Sequence, residues 1–247
     1  MEIKYFNSNF DNIFKNKTID KKISNVIEKI PSLKVVYDKN LLIEIKKISN
    51  KFKLNKEKII IFGTGGSNLG ARALNNIISK SSISLEFYDN IDPINFEKNF
   101  QNVNFNTTGF LVISKSGKTP ETLSQFACLY QKAIEANNLQ EFFSNTLIIT
   151  EFKQSPLYKI GKENKCLLLE HHKDIGGRYS IFTNVGIVPA IISGLNIDEL
   201  FSGASEVINN IDKYKPYDLA RYLTQKENSK FKNNVLMTYS DSLYFFG

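Results

Sequence analysis

The segment KIIIFGTGGSNLGARAL, residues 58–74, joins an apolar run to a glycine-rich turn and then to a stretch with helical spacing. Four more apolar runs follow it, at residues 84–89, 109–114, 146–150 and 166–170. Helical spacing recurs between these runs, and the runs themselves show little polar alternation, which indicates strands buried on both faces of a parallel sheet. We therefore predict a doubly wound α/β domain over residues 51–212, with its sheet flanked by helices.

The two ends of the chain follow other patterns. Residues 1–50 carry spaced apolar residues among lysines and predict an N-terminal helical extension, with helical stretches before and after Pro31. Residues 213–247 predict a helix, PYDLARYLTQKEN, and then a strand that begins in NNVLMTYSDSLYFFG. A lone strand with exposed aromatic residues needs partners, so we interpret 213–247 as the start of a second α/β lobe that is incomplete here. Either the chain is a fragment or a partner supplies the rest.

The composition is that of a folded, soluble protein. Hydrophobic residues make up 42% of the 247 residues, which is ample for a packed core. The formal net charge of +7 is spread over scattered lysines, so it does not indicate a nucleic-acid surface. The N-terminus is no signal peptide, and no apolar run reaches the ~20 residues of a membrane span. We expect a cytoplasmic protein that contacts neither a membrane nor nucleic acid.

The two cysteines, Cys128 and Cys166, stand far apart in apolar stretches. Neither lies in a CxxC or Cys/His spacing, so a zinc site or a disulfide framework has no support. We expect both to be buried, reduced thiols. Nothing in the sequence indicates a metal or a cofactor.

The glycine-rich turn after the first strand suits an anion. Glycines let the backbone approach a ligand closely, and the N-terminus of the following helix, which Ser67 can cap, attracts negative charge. It is no nucleotide motif, because Asn68 replaces the third glycine of a dinucleotide fingerprint and Ala71 the lysine of a Walker loop. A plain glycine turn with a capping serine stays an alternative for this loop taken alone.

A second polar loop, SKSGKTPET, follows the strand at 109–114. Its GKT resembles the end of a P-loop, but the glycine that a P-loop needs five residues earlier is Val112. The loop supplies hydroxyls and one cation, and Thr119, Pro120 and Glu121 fit the N-cap and first turn of a helix. Hydroxyls beside helix N–H groups suit a phosphate monoester, so we predict that the two loops form two walls of one phosphate pocket.

A third element, Gly176-Gly177-Arg178, is a flexible turn that carries a guanidinium. Arginine stays charged at any working pH and can stabilise an oxyanion as it forms. An ordinary surface ion pair is the alternative for a lone arginine. The two histidines, His171 and His172, precede the turn and are interpreted as loop residues.

The order and spacing of these elements resemble the phosphoglucose isomerase family over nearly all of the chain. GTGGSNLGARAL resembles that family's first glycine loop and SKSGKTPET its phosphate loop. DNIDP and SPLYKIG match further stretches, and IGGRYSIFTNVG is similar to its signature. Lys173 and Asn184 differ from the residues that the family usually has at these positions, but the Gly-Gly-Arg turn itself is unchanged. The similarity is to the N-terminal portion of the short bacterial form.

The resemblance implies a sugar-isomerase (SIS-type) three-layer sandwich and an activity. The activity is the interconversion of glucose 6-phosphate and fructose 6-phosphate through an enediolate, a step of glycolysis and gluconeogenesis. Arg178 would be catalytic, stabilising the enediolate. The substrate-binding residues it implies are Gly66, Ser67, Ser114, Lys115, Ser116 and Thr119, with Glu121 nearby.

The resemblance also implies groups that this sequence lacks. The family's general base, a glutamate, and a later histidine and lysine would all follow residue 247. We therefore expect the chain alone to be nearly inactive, and the full-length protein to be a homodimer. Three alternatives are a non-catalytic sugar-phosphate-binding module, a bifunctional phosphoglucose/phosphomannose isomerase and, on net charge alone, a nucleic-acid-binding protein.

Overall fold

The computed structural model of the protein describes residues 25, 28–78, 81–214, 233 and 235–246. Its centre is one parallel sheet with the strand order β2-β1-β3-β4-β5. The strands are β1 (Lys58–Phe62), β2 (Ser84–Tyr88), β3 (Thr108–Ile113), β4 (Thr146–Thr150) and β5 (Leu167–Glu170). The parallel sheet is confirmed, and the five strands coincide with the five apolar runs of the sequence to within a residue.

Helices connect the strands and precede and follow the sheet. They are α1 (Pro31–Lys34), α2 (Lys39–Phe52), α3 (Leu69–Asn76), α4 (Pro93–Phe100), α5 (Pro120–Glu135), α6 (Leu139–Ser144), α7 (Pro156–Glu163), α8 (Asn184–Ser193), α9 (Ile197–Asn209) and α10 (Ile211–Tyr214). Proline at the first position starts α4, α5 and α7, where its missing N–H leaves no hydrogen bond unmade. Helices α1 and α2 lie in the part of the predicted N-terminal extension that the structure describes.

Alternate residues of each central strand enter two separate cores. Ile61 and Leu111 pack with α2, α3, α8 and α9 on one side of the sheet. Phe62 and Phe110 pack on the other side, where α4 to α7 contribute mainly aromatic rings. The result is three layers, with helices on both faces of the sheet, as predicted.

Helix α8 is buried along all ten of its residues. Its sequence, NVGIVPAIIS, is apolar all round, which is typical of a helix inside a core. A Cβ at Gly186 would collide with the Ile181 carbonyl, so this glycine lets the chain before the helix pack tightly against it. The helix thereby fixes the chain segment that immediately follows Arg178.

No helix within the described ranges is long and apolar enough to cross a membrane.

The predicted strand near the C-terminus is wrong for the part that the structure describes. Residues 235–240 have no regular secondary structure, and Asp241–Phe246 is a 3-10 helix that packs on α3. Asn76 Nδ2 donates a hydrogen bond to the Asp241 carbonyl at 2.5 Å, and the Arg72 guanidinium lies 5.9 Å from the Phe245 ring centre. A strand requires a partner strand, and the described residues provide none beside 235–240. The predicted helix at 216–228 and most of the stretch before Pro31 lie outside the described residues.

The prediction for the two thiols holds for one of them only. Cys166 is buried and its pKa is raised to about 12 by that burial, but Cys128 is exposed on α5. Apolar neighbours in sequence misled the prediction, because Cys128 falls on the outer face of an amphipathic helix.

Leu111→Ala tests whether the central strands carry the stability of the domain. Leu111 is fully buried in β3, so we expect the free energy of unfolding to fall by about 2–5 kcal/mol in urea denaturation. Ile94→Ala removes a comparable side chain that is 78% exposed and should change the free energy of unfolding by no more than about 0.5 kcal/mol. Similar losses for both variants would contradict the assignment of the core.

Candidate phosphate-binding site

The strand order places the first two loops side by side. The chain moves from β1 outward to β2, returns to β3 on the other side of β1, and continues to β5. The carboxyl ends of β1 and β3 therefore open a crevice, which is where open α/β sheets bind ligands. Phe62 at the end of β1 pairs with Val112 of β3, so the loops that follow both strands begin next to each other.

The first loop, residues 63–68, makes a 3-10 turn at Gly65–Ser67 before α3 begins. Gly65 has φ of +54°, which favours glycine. The predicted capping role of Ser67 is wrong, because the extra turn moves the N-cap position to Asn68, and no side chain caps α3. The predicted site residues of this loop, Gly66 and Ser67, are both half-buried.

Gly66 brings the first loop into contact with the third element. A Cβ at Gly66 would overlap the Gly177 carbonyl carbon and the Arg178 backbone nitrogen. Residues 177–179 form a 3-10 turn of their own, and we call Gly176–Tyr179 the arginine turn. The absence of a side chain at Gly66 is thus what allows the two turns to touch.

The second loop, residues 114–119, gathers hydroxyl groups at the start of α5. The buried Ser114 has its Oγ 2.8 Å from Thr119 Oγ1, and Ser116 Oγ accepts a hydrogen bond from the Lys118 N–H. Thr119 occupies the predicted N-cap position, but its hydroxyl pairs with Ser114 and does not cap the helix. The first-turn N–H groups of this 16-residue helix are therefore left for an anion. Glu121 lies in the same first turn and is exposed.

The conformation of the second loop also depends on a glycine. Gly117 has φ of +63°, and a Cβ there would collide with the Ser155 side chain at the N-cap of α7. The Leu157 N–H donates to the Gly117 carbonyl at 3.2 Å. Helix α7 thus supports the loop from behind.

Lys115 points away from the hydroxyls of its own loop. Its ammonium donates to the carbonyls of Lys173 at 2.6 Å and Ile175 at 2.9 Å, and lies 3.7 Å from Glu151 Oε1. These contacts join the second loop to the chain just before the arginine turn. Together with the Gly66 contact and the neighbouring ends of β1 and β3, they bring all three predicted loops into one place.

Arg178 projects from this assembly into solvent. The structure records no ion pair or hydrogen bond for its guanidinium within the described ranges, so the ordinary surface ion pair is not present there. An exposed cation beside the loops that follow β1 and β3 can stabilise negative charge on a bound ligand.

Two titratable groups, the partly exposed Glu151 and the buried His171, lie beside the Lys115 contacts. Glu151 has its pKa lowered by a hydrogen bond from Lys153 and by the charges of Lys153 and Lys115. His171 is fully buried in the loop after β5, and burial lowers its pKa. Its Nδ1 lies 3.0 Å from the His172 carbonyl, which can only accept, so the neutral ring carries its proton on Nδ1.

Two further polar residues, one in the first loop and one in the first turn of α5, are absent from the sequence-based prediction of the site. Asn68 and Thr122 are fully buried, and their side-chain polar atoms have no partner among the residues described. Thr122 stands three residues after Thr119 in α5, a spacing that could have signalled a shared helix face. Asn68 had been considered only as a missing glycine. The same described residues contain no group of three or more His, Cys, Asp or Glu side chains arranged to hold a metal ion.

The sequence model of a known protein family matches most of this chain. The sequence profile described as phosphoglucose isomerase matches residues 16–220, which include all three loops. The chain belongs to the phosphoglucose isomerase family. The resemblance drawn from the loops is thereby confirmed.

Curated members of the phosphoglucose isomerase family match along nearly the whole chain. A glucose-6-phosphate isomerase from Methanocaldococcus jannaschii is 32% identical over 238 residues, which is 91% of this chain and 56% of the relative. One from Clostridium tetani is 29% identical over 233 residues, 87% of this chain and 52% of the relative. The chain thus spans about half the length of the curated relatives it matches.

Solved structures agree on the fold. A hypothetical protein from Thermus thermophilus superposes with a TM-score of 0.78 at 21% identity, covering 87% of this chain and 55% of that protein. A glucose-6-phosphate isomerase from Chlamydia trachomatis superposes with a TM-score of 0.61 at 22% identity, covering 70% of this chain and 34% of that one. The three-layer domain therefore shares its fold with these two proteins.

Gly66→Ala tests the contact between the first loop and the arginine turn in this family member. The new methyl group has no space beside Gly177, so we expect the two turns to separate and the free energy of unfolding to fall by about 1–3 kcal/mol. Faster amide hydrogen exchange at Tyr179 and Ser180 would locate the damage. Gly203→Ala adds the same methyl in open space on α9 and should stabilise the protein slightly. An unchanged free energy of unfolding in Gly66→Ala would contradict the contact.

The buried His171 predicts a pH dependence of stability. Because its folded pKa lies below the ordinary 6.5, the unfolded chain binds the proton more readily, and stability should fall as the pH drops through about 6.5. Urea denaturation of wild type and His171→Gln at pH 8, 7, 6 and 5.5 measures this effect. We expect the variant to lose less stability between pH 8 and 5.5, whatever its stability at pH 8. Glu151 does not interfere, since its pKa is lowered from 4.5 and it acts below that window. Equal slopes would contradict a buried neutral histidine.

Proposed function

We propose that this chain forms the sugar-phosphate-binding part of a glucose-6-phosphate isomerase, which interconverts glucose 6-phosphate and fructose 6-phosphate. The observation that carries the proposal is the meeting of three loops at the switch point of the sheet, two with anion-binding groups and one with an exposed guanidinium. The curated relatives named above, which match most of the chain, support the same activity.

The phosphate group would be held at the start of α5. Hydroxyls and the free N–H groups of the first helical turn provide many donors, which suit a compact dianion better than a nucleotide. The hydroxyls come from Ser114, Ser116 and Thr119. Gly66 and Ser67 would bound the pocket from the β1 side, and Glu121, as an anion itself, would stand beside the phosphate without binding it.

Arg178 would act at the other end of the substrate. Aldose–ketose isomerisation breaks the C–H bond at C2 of the open-chain aldose and returns a proton to C1, through an enediolate. The developing oxyanion is stabilised by a fixed positive charge, and a guanidinium keeps that charge throughout. The contact of the arginine turn with Gly66 would place this charge next to the sugar.

The groups that move the proton are proposed to come from outside the 247 residues. The family resemblance puts a glutamate base, a histidine and a lysine beyond them. A positioned base contributes a factor of roughly 10²–10⁴ to the rate, so the chain alone should turn over very little substrate. A homodimeric assembly and a cytoplasmic location are further inferences from the same resemblance.

Calorimetric titration with fructose 6-phosphate tests the binding role. We expect the chain to bind fructose 6-phosphate and inorganic phosphate but not fructose. Thr119→Val keeps the side-chain shape and removes one donor, so the affinity for both phosphate compounds should fall about tenfold. Cys128→Val, on the exposed face of the same helix, is the matched control and should bind as wild type does.

Two outcomes would count against the proposal. Equal affinity for fructose and fructose 6-phosphate would contradict the phosphate pocket. Full isomerase turnover by the chain alone would contradict the proposal that the catalytic base comes from outside it. Competition by mannose 6-phosphate as strong as that by glucose 6-phosphate would favour a bifunctional isomerase.

A further inference from the structure

We propose that Lys115 is a positioning residue, which holds the arginine turn in place, and not a ligand of the phosphate. Its effect on catalysis rests on the proposed function, but its effect on the turn does not. The loop sequence alone suggests the opposite, because a lysine among hydroxyls in a phosphate loop is ordinarily read as a phosphate ligand.

The ammonium of Lys115 is already held by contacts outside its own loop. It has three N–H donors. Two of them serve the Lys173 and Ile175 carbonyls at 2.6 and 2.9 Å, and Glu151 Oε1 lies 3.7 Å away as the charge partner. A phosphate that drew the ammonium away would break the carbonyl bonds, and a partly buried carbonyl left without a donor costs about 1–3 kcal/mol.

The base of the Lys115 side chain is held firmly. Its carbonyl accepts hydrogen bonds from the Glu151 N–H at 3.1 Å and from Thr150 Oγ1 at 3.4 Å. These bonds attach Lys115 to the end of β4, the strand next to β3. The side chain therefore reaches across from the rigid edge of the sheet to the loop after β5.

The position of the two carbonyls decides what this bridge controls. Ile175 is buried and directly precedes Gly176, the first residue of the arginine turn. On its other side the turn rests on Gly66, where no side chain intervenes. The arginine turn is thus held from two directions, by a hydrogen-bonded lysine at its start and by a backbone contact at Gly177.

Amide hydrogen exchange in the ligand-free chain tests the bridge. The Tyr179 and Ser180 N–H groups donate within the turn, to the Gly176 and Gly177 carbonyls at 2.9 and 3.2 Å. In Lys115→Met we expect these two amides to exchange at least about tenfold faster, since the turn loses one of its two supports. Lys118→Met removes an equal charge from an exposed position of the same loop and should leave both amides unchanged. Lys115→Arg, which keeps charge and donors, should restore part of the protection.

A binding measurement separates positioning from charge. Both Met variants lower the positive charge near the phosphate, so the affinity for inorganic phosphate should fall by the same factor in both. The affinity for fructose 6-phosphate should fall several-fold more in Lys115→Met than in Lys118→Met, because Arg178 is then misplaced beside the sugar. Wild-type exchange rates in Lys115→Met, with phosphate binding lost, would show Lys115 to be a direct ligand and overturn the proposal.

Wild-type protein provides a test that needs no variant. This test applies if Lys115→Met unfolds, which fast exchange at the Leu111 amide in β3 would show. In wild-type protein, NMR can measure scalar couplings across the hydrogen bonds from Lys115 Nζ to the carbonyl carbons of Lys173 and Ile175. They should persist in saturating inorganic phosphate, and their loss would overturn the proposal. If wild-type protein fails to bind fructose 6-phosphate while the bridge results hold, the proposed function fails and the bridge does not.

Discussion

The contact between the backbone of Gly66 and the Gly177–Arg178 peptide is the constraint on which the candidate site depends. No side chain, not even a methyl group, fits between them. Two turns that are distant in the sequence are thereby brought to backbone distance, and one of them carries the exposed guanidinium. Helix α8, buried on every side, fixes the chain on the far side of that turn.

The sheet supplies the remaining part of the arrangement. Its order, β2-β1-β3-β4-β5, opens the crevice between β1 and β3, and the two loops with anion-binding groups follow those strands. Lys115 then links the second loop to the third element across the ends of β4 and β5. The parallel sheet thus carries the loops, and the proposed chemistry would reside in a small number of polar groups at its carboxyl edge.

The fold could be read from the sequence because buried parallel strands appear as uninterrupted apolar runs, and the loops between them carry distinctive glycines and hydroxyls. Side-chain direction could not be read in the same way. The loop sequence predicts Lys115 as a phosphate ligand, and it does not reveal that the ammonium contacts carbonyls some sixty residues away along the chain. Ser67 failed as a cap because an inserted 3-10 turn moved the helix start, which spacing alone does not reveal. The strand expected near residue 240 depended on partner strands, and a local pattern cannot supply those.

The unequal burial of the two thiols has a practical consequence. Cys166 is sealed in the aromatic core, and the high pKa that burial gives it leaves almost no thiolate at neutral pH, so it resists alkylation. Cys128 faces solvent on the helix whose first turn borders the second loop. A maleimide dye should therefore attach at one known position in the natural sequence, without engineered cysteines.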